Sequence, residues 1–462
     1  MKQTREKLRE LDKETLIDTV LLFQGRVSEL ERQVRELKKL TGFSPPADLP
    51  AKTPENSSIP SGQSRKAKKP PKLKRKQGAK TGHKGKNRQR SEADEVIECR
   101  VAVCCACGED LSAVPQRRIG RRQVVDIPPL HPVVREARRY ATPCPGCGKV
   151  QSAAYPLGFE KGRMFGEHLE QVVIYLHHAH PLSYQRVQHI FRELFGLQLS
   201  QGGLVNVVKR RQKTLDKAAE SIRQQVKRAP VVGSDETGVR IAGENRWQWV
   251  FQTPEWVYLR MHRRRAAEVI TGVMEEAQPL AWVSDLASAQ LHHPAEQLQI
   301  CLSHQARDLQ YAVDAYRCVW AYRLQTLFYR AMRLVKWRDR IATGHYEAQI
   351  AAVERRLDEL LNQYPHNPES QGLRRRYVKH RQNIFVFLYH QGVPPTNNAS
   401  EQALRNSVIY RKVTGGFRTD WGADLYANSI SILETARRQG RDFFDILTAI
   451  LSDQPAFATI SE

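Results

Sequence analysis

Apolar residues recur every seven positions near the amino terminus. Val20, Val27 and Val34 share one position of the repeat; Leu16, Phe23, Leu30 and Leu37 share another. The flanks Glu29, Glu31, Arg32, Arg35, Glu36 and Lys38 are charged. The pattern predicts a helix over residues 1–41 that pairs as a parallel two-stranded coiled coil, weakened at Gly25 by roughly 1 kcal/mol relative to alanine. The period is lost over 42–95, where Pro45-Pro46, Asn56-Ser57-Ser58 and Pro70-Pro71 interrupt a stretch too poor in apolar residues for a core. That stretch reads as a disordered basic linker. In 96–150, Gln123 to Ile127 and Val133 to Tyr140 read as strands. Helical spacing returns over 151–228. There an amphipathic helix from Ser183 to Leu194, a turn at Phe195-Gly196-Leu197 and a basic helix from Ser200 to Arg211 suggest a helix-turn-helix.

The pattern then changes to short β-branched and aromatic runs. Val231-Val232-Gly233-Ser234-Asp235 is followed by Trp247–Phe251 and Trp256–Leu259, a helical stretch from Ala266 to Glu276, and Leu280–Ser284 ending at Asp285. Three hairpin strands, a crossover helix and a fourth strand form the core order of a ribonuclease-H-like sheet. In that order the fourth strand lies beside the first, so Asp235 and Asp285 converge. Convergent carboxylates repel unless a divalent cation sits between them. Strand alternation sends Asp235 and Glu236 to opposite faces, so only one of these two can join such a site. The core's first part covers 229–310. A charged helical block, 311–390, reads as an insertion, and 391–462 completes the core. Cys301-x-x-His304 has metal-like spacing but lacks a second pair, and reads as a packed cysteine and a hydrogen-bonded histidine, with a supporting role for His304 left open. The His177-His178-x-His180 cluster reads as a helix end before Pro181. Asn398 or Ser400 can cap a helix with Glu401 in its first turn and Arg405 one turn later.

Charge narrows the partner. The 462 residues carry a net +24 with a pI near 9.8. Residues 61–90 hold 13 Lys or Arg and no acid, a segment that would follow a phosphate backbone without reading bases. Lys72, Lys74, Arg75, Lys76 and Lys84 are its candidate contacts, joined by Lys209 and Arg210 in the second helix. No apolar run reaches the roughly 18 residues of a membrane span, and the charged amino terminus is unlike a signal peptide, so a cytoplasmic protein is expected. In that reducing setting, Cys104-x-x-Cys107-Gly108 and Cys144-x-x-Cys147-Gly148 read as two knuckles of one closed, structural zinc site rather than as disulfides. Cys99 and Cys105 are spare.

The motifs occur in a recognisable order: Ser234-Asp235-Glu236-Thr237-Gly238, Val283-Ser284-Asp285, Cys301-x-x-His304-x-x-Arg307-Asp308 and Asn397-Asn398-x-x-Glu401-x-x-x-Arg405. Arg411-Lys412-Val413-Thr414-Gly415-Gly416-Phe417-Arg418 follows, with Gly422-Ala423 beyond. The chain resembles a DDE transposase of the insertion sequence 66 family over nearly its whole length. It departs at Thr396, where an acidic residue is frequent, and in the extra cysteine of the first knuckle.

The resemblance implies an acidic triad of Asp235, Asp285 and Glu401, choosing Asp235 over Glu236. It implies two magnesium or manganese ions, one structural zinc, and in-line phosphodiester chemistry that nicks an element end and joins its 3′ hydroxyl to target DNA. Arg405, Arg411, Lys412 and Arg418 are candidate phosphate contacts near that site. Expected partners are element terminal repeats, target DNA, a second copy through the coiled coil, and small accessory proteins encoded beside it. The expected setting is a bacterial, nucleoid-associated cytoplasmic protein. Two alternatives stand beside this reading: a non-catalytic, zinc-containing DNA-binding protein derived from a transposase, and a ribonuclease-H-like nuclease that cuts without joining.

Overall fold

The computed structural model describes residues 90–452, together with 24, 26–27, 29, 32–33, 50, 52–53, 56–57 and 457. Most of the expected coiled coil and basic linker therefore lies outside the described residues. Of the heptad's core positions only Val27 is described, and it is helical and exposed. Nearby, Arg32 pairs with Glu29 one turn away at 2.7 Å. Within the expected linker, Ser57 donates its backbone N–H to Thr53 O (2.8 Å), and Asn56 and Ser57 are buried. Lys52 reaches Glu369 at 2.9 Å. This short segment is thus ordered by local turn bonds despite its polar composition.

The chain divides into two units, one of residues 68–173 and 182–208, the other of 1–67, 174–181 and 209–462. The smaller holds β1 (Ala141–Pro143) and β2 (Val150–Ser152), an antiparallel pair with Thr142 opposite Gln151. The strands expected at 123–127 and 133–140 do not form. Val124 and Val134 are almost fully exposed, so the alternation there has neither a facing strand nor a layer to bury its apolar side. Three helices complete this unit: α1 (Glu167–Ile174), whose last residue falls in the larger unit, α2 (Tyr184–Phe195) and α3 (Gln201–Arg210). Ser183 Oγ accepts the Arg186 N–H at the start of α2, and Ser200 Oγ accepts the Gly203 N–H (3.0 Å) at the start of α3. Gly196 stops α2 with φ +65°, a left-handed conformation that glycine adopts without penalty. Helix, turn and helix thus follow the expected spacing, and α3 ends one residue earlier, at Arg210.

The larger unit is built on a five-stranded mixed sheet. After α4 (Gln212–Arg228) come β3 (Val231–Ile241), β4 (Glu244–Gln252), β5 (Val257–His262), α5 (Glu268–Met274), β6 (Ala281–Ser284) and β7 (Gln297–Ile300). The sheet order is β5-β4-β3-β6-β7, antiparallel across β5, β4 and β3 and parallel across β3, β6 and β7. The strand after the crossover helix therefore does pair with the first. The helical block follows as α6 (Leu302–Tyr316), α7 (Val319–Leu334), α8 (Thr343–Asn362), α9 (Pro368–Lys379) and the short α10 (Val386–Tyr389). Its own core is formed by Trp320, Leu324, Phe328, Leu357, Tyr377 and Phe385. The chain closes with α11 (Asn398–Thr414), α12 (Asp420–Arg438) and α13 (Phe443–Leu451).

Both sheet edges are covered. Along β5, the buried hydroxyls of Thr435 and Ser431 on α12 accept the N–H groups of Val257 (3.1 Å) and Leu259 (2.8 Å). Along β7, the Gln299 side chain donates to Ile384 O (3.0 Å) and accepts from Phe387 N (3.1 Å). The edge strand β5 thus spends free backbone N–H groups inside the unit, and β7 is tied to the helical block through a side chain, both of which hinder pairing with another sheet. His177 and His178 sit in a π-helical turn, Tyr175–Ala179, packed on an aromatic cluster. His177 Nε2 lies 3.1 Å from Tyr410 Oη, and the His178 ring stands edge-on to Tyr426. Burial, then the neighbouring His177, holds His178 well below the usual imidazole range. These histidines act in packing.

Candidate active site

Register brings the two strand acids together. Gly233 stands opposite Val283 in the parallel β3–β6 pair. The pairing ends there; Asp235 continues in β3 while Asp285 lies one residue past the end of β6, near enough for its charge to bear on Asp235. Burial, then the charge of Asp285, with Glu236 and Glu401 adding to it, holds the Asp235 carboxyl well above the ordinary carboxylate range. One N–H, from Glu236, opposes this by donating to Asp235 Oδ1 (2.8 Å). Asp285 Oδ1 accepts the Ala287 N–H (2.9 Å), which fixes the loop after β6.

Glu236 points the other way. Its oxygens take Arg265 (2.6 Å) and Gln290 (2.6 Å), and Gln290 also reaches Ser234 Oγ. Residues 234 and 236 thus share one face, and Asp235 the opposite one. Burial, then Asp285, raises the Glu236 carboxyl, against the pull of Gln290 and Arg265. Glu236 is already paired, and Asp235 keeps the open position.

The third acid arrives on α11. A Cβ on Gly233 would meet Gln252 Nε2 at 2.1 Å and Ser400 Oγ at 3.0 Å, so the bare glycine lets α11 approach β3. Asn397 anchors that approach. It is buried, its Nδ2 donates to Ser234 O (2.7 Å), and its Oδ1 accepts from Ser400 Oγ (2.6 Å). Neither Asn398 nor Ser400 caps the helix as expected. Asn397 holds the cap position without a capping bond, because its Oδ1 accepts the Ser400 hydroxyl while its Nδ2 donates to β3. Nor does Glu401 pair with Arg405, which is exposed. Glu401 Oε1 lies instead 3.6 Å from His304 Nε2 and 3.6 Å from Arg307 Nη2, both on α6. This oxygen is buried and accepts no hydrogen bond.

The ligand atoms of Cys301, His304 and Glu401 lie within 4.8 Å of one another, the one such group of three among the described residues. Cys301 Sγ accepts the Asn397 N–H (3.1 Å), and burial pushes its thiol up to about 11. Burial and Arg307 lower His304. Cys301 is therefore a packed thiol that steadies Asn397, whereas His304 faces the third acid.

These residues fit a hard divalent cation. The ligand atoms of Asp235, Asp285 and Glu401 do not lie within 4.8 Å of one another, yet the raised Asp235 carboxyl and the buried Glu401 Oε1 that accepts no hydrogen bond leave oxygen ligands that protein groups do not satisfy. Asp235, Asp285 and Glu401 would hold it.

Of the expected phosphate contacts, Arg405, Lys412 and Arg418 are exposed on and just beyond α11. Arg411 donates to Thr237 Oγ1 (3.1 Å) and to Gly238 O, so it braces β3. Beside it, Gly416 (φ +102°) would place a Cβ 2.5 Å from Arg240 O. Phe417 exchanges backbone bonds there, with N–H to Arg240 O (2.8 Å) and O from Ala242 N (2.9 Å). Lys209 and Arg210 are exposed at the end of α3; the contacts expected between 72 and 84 lie outside the described residues.

In the smaller unit, each knuckle is a turn closed by its glycine. Gly108 N donates to Cys104 O (2.9 Å) and Gly148 N to Cys144 O (2.8 Å), with φ +79° and +72°. Backbone N–H groups of Ala106 and Cys107, then the Cys107 thiol, lower Cys104. Those of Gly146 and Cys147, then the Cys147 thiol, lower Cys144. Each turn carries two thiols. The four cysteines do not form a single gathered group among the described residues.

Sequence reasoning did not assign Gly233 or Asn397 their positioning roles, nor Arg307 its place beside Glu401. The available signals were a glycine two residues before an acid and an asparagine four before another.

An α/β protein whose mixed sheet carries Asp235 and Asp285 within electrostatic reach of each other, with Glu401 on an adjoining helix, is a candidate for phosphate-ester chemistry. The family model described as Transposase IS66 family matches residues 162–425, more than half of the chain and inclusive of all three acids. The chain belongs to the transposase IS66 family. No curated protein matches it.

Proposed function

We propose that the protein is the DNA transposase of a bacterial insertion sequence, with a ribonuclease-H-like core that cuts element ends and joins their 3′ hydroxyls to target DNA. What supports this reading is that the charges of Asp285 and, more weakly, Glu401 bear on the Asp235 carboxyl, with Asp235 on β3, Asp285 just past the parallel strand β6 and Glu401 on α11. Two magnesium or manganese ions bound there would supply an activated water or 3′ hydroxyl and charge neutralisation at the departing oxygen. The chain's own contribution is to hold and orient. Asp235 would present its oxygens from within β3 and Asp285 from the loop directly after β6. Asn397 and Gly233 set the height of Glu401, and His304 and Arg307 hold its side chain. Arg405, Lys412 and Arg418 offer exposed cations for the DNA backbone.

The remaining regions fit paired-end transfer. A coiled coil over 1–41 would pair two copies, and the basic segment 42–95 would track phosphates. Cys104, Cys107, Cys144 and Cys147 would share one structural zinc once their two half-sites meet. The helix pair α2–α3 would enter a major groove with α3.

Divalent-metal-dependent nicking of an element end and joining of a pre-cleaved end test the reading, with wild type beside Asp235→Ala, Asp285→Ala and Glu401→Ala. Cutting and joining by wild type, lost in all three variants with DNA binding retained, is expected. Cutting without joining would indicate a nuclease. Binding without either reaction would indicate a DNA-binding protein only.

A further inference from the structure

The helical block carries a face that the catalytic reading does not use. Along α7 and the turn after it, the outward positions are Tyr322, Tyr329, Arg330, Arg333, Lys336, Trp337 and Arg340. Tyr322, Tyr329 and Trp337 are 58%, 46% and 52% exposed, unusual for rings of that size. The inner face of the same helix is apolar and buried, through Trp320, Leu324, Leu327, Phe328 and Ala331. The outer rings are therefore surplus to the core.

The charges are equally one-sided. Residues 319–340 hold five Arg and one Lys against a single acid, Asp339. Among the described residues, no carboxylate comes within salt-bridge range of Arg330, Arg333, Lys336 or Arg340. Arg330 reaches only the Gln349 amide (3.0 Å), and Arg340 lies over the Trp337 ring, 5.8 Å from its centre. Other arginines of the block behave differently. Arg376 pairs with Asp308 (2.6 Å) and Arg381 with Glu354 and Asp358 (both 2.6 Å). One more arginine, Arg323 on α7, is lowered by burial and by the like charge of Arg356 on α8. The fold thus pairs Arg376 and Arg381 with carboxylates and leaves Arg330, Arg333, Lys336 and Arg340 without one among the described residues.

Unneutralised guanidinium groups interleaved with outward aromatic rings suit a polyanion that also offers flat π-faces. A second copy seated on the same face is disfavoured, since it would set five Arg and one Lys against their own like charges, with a single acid on each copy. We infer that the outer face of α7 is a DNA track, gripping the backbone through Arg330, Arg333, Lys336 and Arg340 and stacking unpaired bases on Tyr322, Tyr329 and Trp337. It rests on the DNA-transposase reading but not on the acidic site.

The full-length protein is titrated with labelled single-stranded and duplex oligonucleotides in EDTA, so that no catalytic metal contributes. Arg330→Gln with Arg333→Gln should flatten the slope of log K against log salt by about 1.4 on single strands and about 1.8 on duplex, from the loss of two phosphate contacts. Tyr329→Ala with Trp337→Ala should weaken single-strand binding at least fivefold, with the slope unchanged and duplex binding little affected. Both variants must match wild type in circular dichroism and melting. Photocrosslinks from bromouracil-containing strands should map to residues 319–340. A wild-type slope in the arginine variant, or wild-type single-strand affinity in the aromatic variant, overturns the inference. Failure of wild type to bind any DNA would instead count against the transposase reading itself.

Discussion

Replacing Asp285 by asparagine should make the metal-free protein more stable while abolishing its chemistry. Asp285 follows directly on the strand that runs parallel to β3, and it is the largest charged contributor to the raised Asp235 carboxyl. Two unit charges about 5 Å apart at an effective dielectric near 20 repel by roughly 3 kcal/mol. Both residues keep partial solvent access, and Asp235 escapes part of the penalty by holding its proton, so about 1 kcal/mol of gain is the working figure. The sign with pH follows. A carboxyl raised in the folded state binds more protons there than in the unfolded chain, so stability falls as pH rises from the unfolded value near 4 through the folded value. That fall should be shallower in Asp285→Asn. Urea melts in EDTA between pH 4 and 8, for both proteins, measure it. Magnesium should then stabilise wild type and leave the variant almost unmoved. A variant less stable than wild type in EDTA, or equally stabilised by magnesium, would refute the reasoning.

Asn397→Ala should cost about 1–3 kcal/mol in urea melts, because Ser234 O and Ser400 Oγ lose a buried partner. It should also lower strand transfer in protein that remains folded. Gly416→Ala should destabilise by about 2 kcal/mol or more in the same melts, since its Cβ would collide with Arg240 O at a left-handed φ. On the proposed zinc reading, elemental analysis of the full chain should find one zinc in wild type and none in Cys144→Ser, with the melting of the unit that holds the five-stranded sheet unchanged.

Strand runs were legible because aromatic and β-branched residues cluster between turn formers, and the crossover order followed from them. The two strand acids were legible for the same reason, since each closes an apolar run. The strands expected at 123–127 and 133–140 failed because alternation states which face could be buried and not whether a second layer exists. The cap of α11 was misplaced for a related reason. Asn397, Asn398 and Ser400 are all good capping residues, and only the tertiary bond from Asn397 to Ser234 O separates them. The partners of Glu401 were hidden likewise. Arg405 is its sequence neighbour at helical spacing, yet the groups beside it, His304 and Arg307, are about a hundred residues away in the chain.

Anomalous diffraction from crystals soaked in manganese tests the central claim most directly. Two peaks about 3.5–4 Å apart, ligated among them by Asp235, Asp285 and Glu401, are predicted. Manganese absent from this position, or held there without one of the three carboxylates, would contradict it.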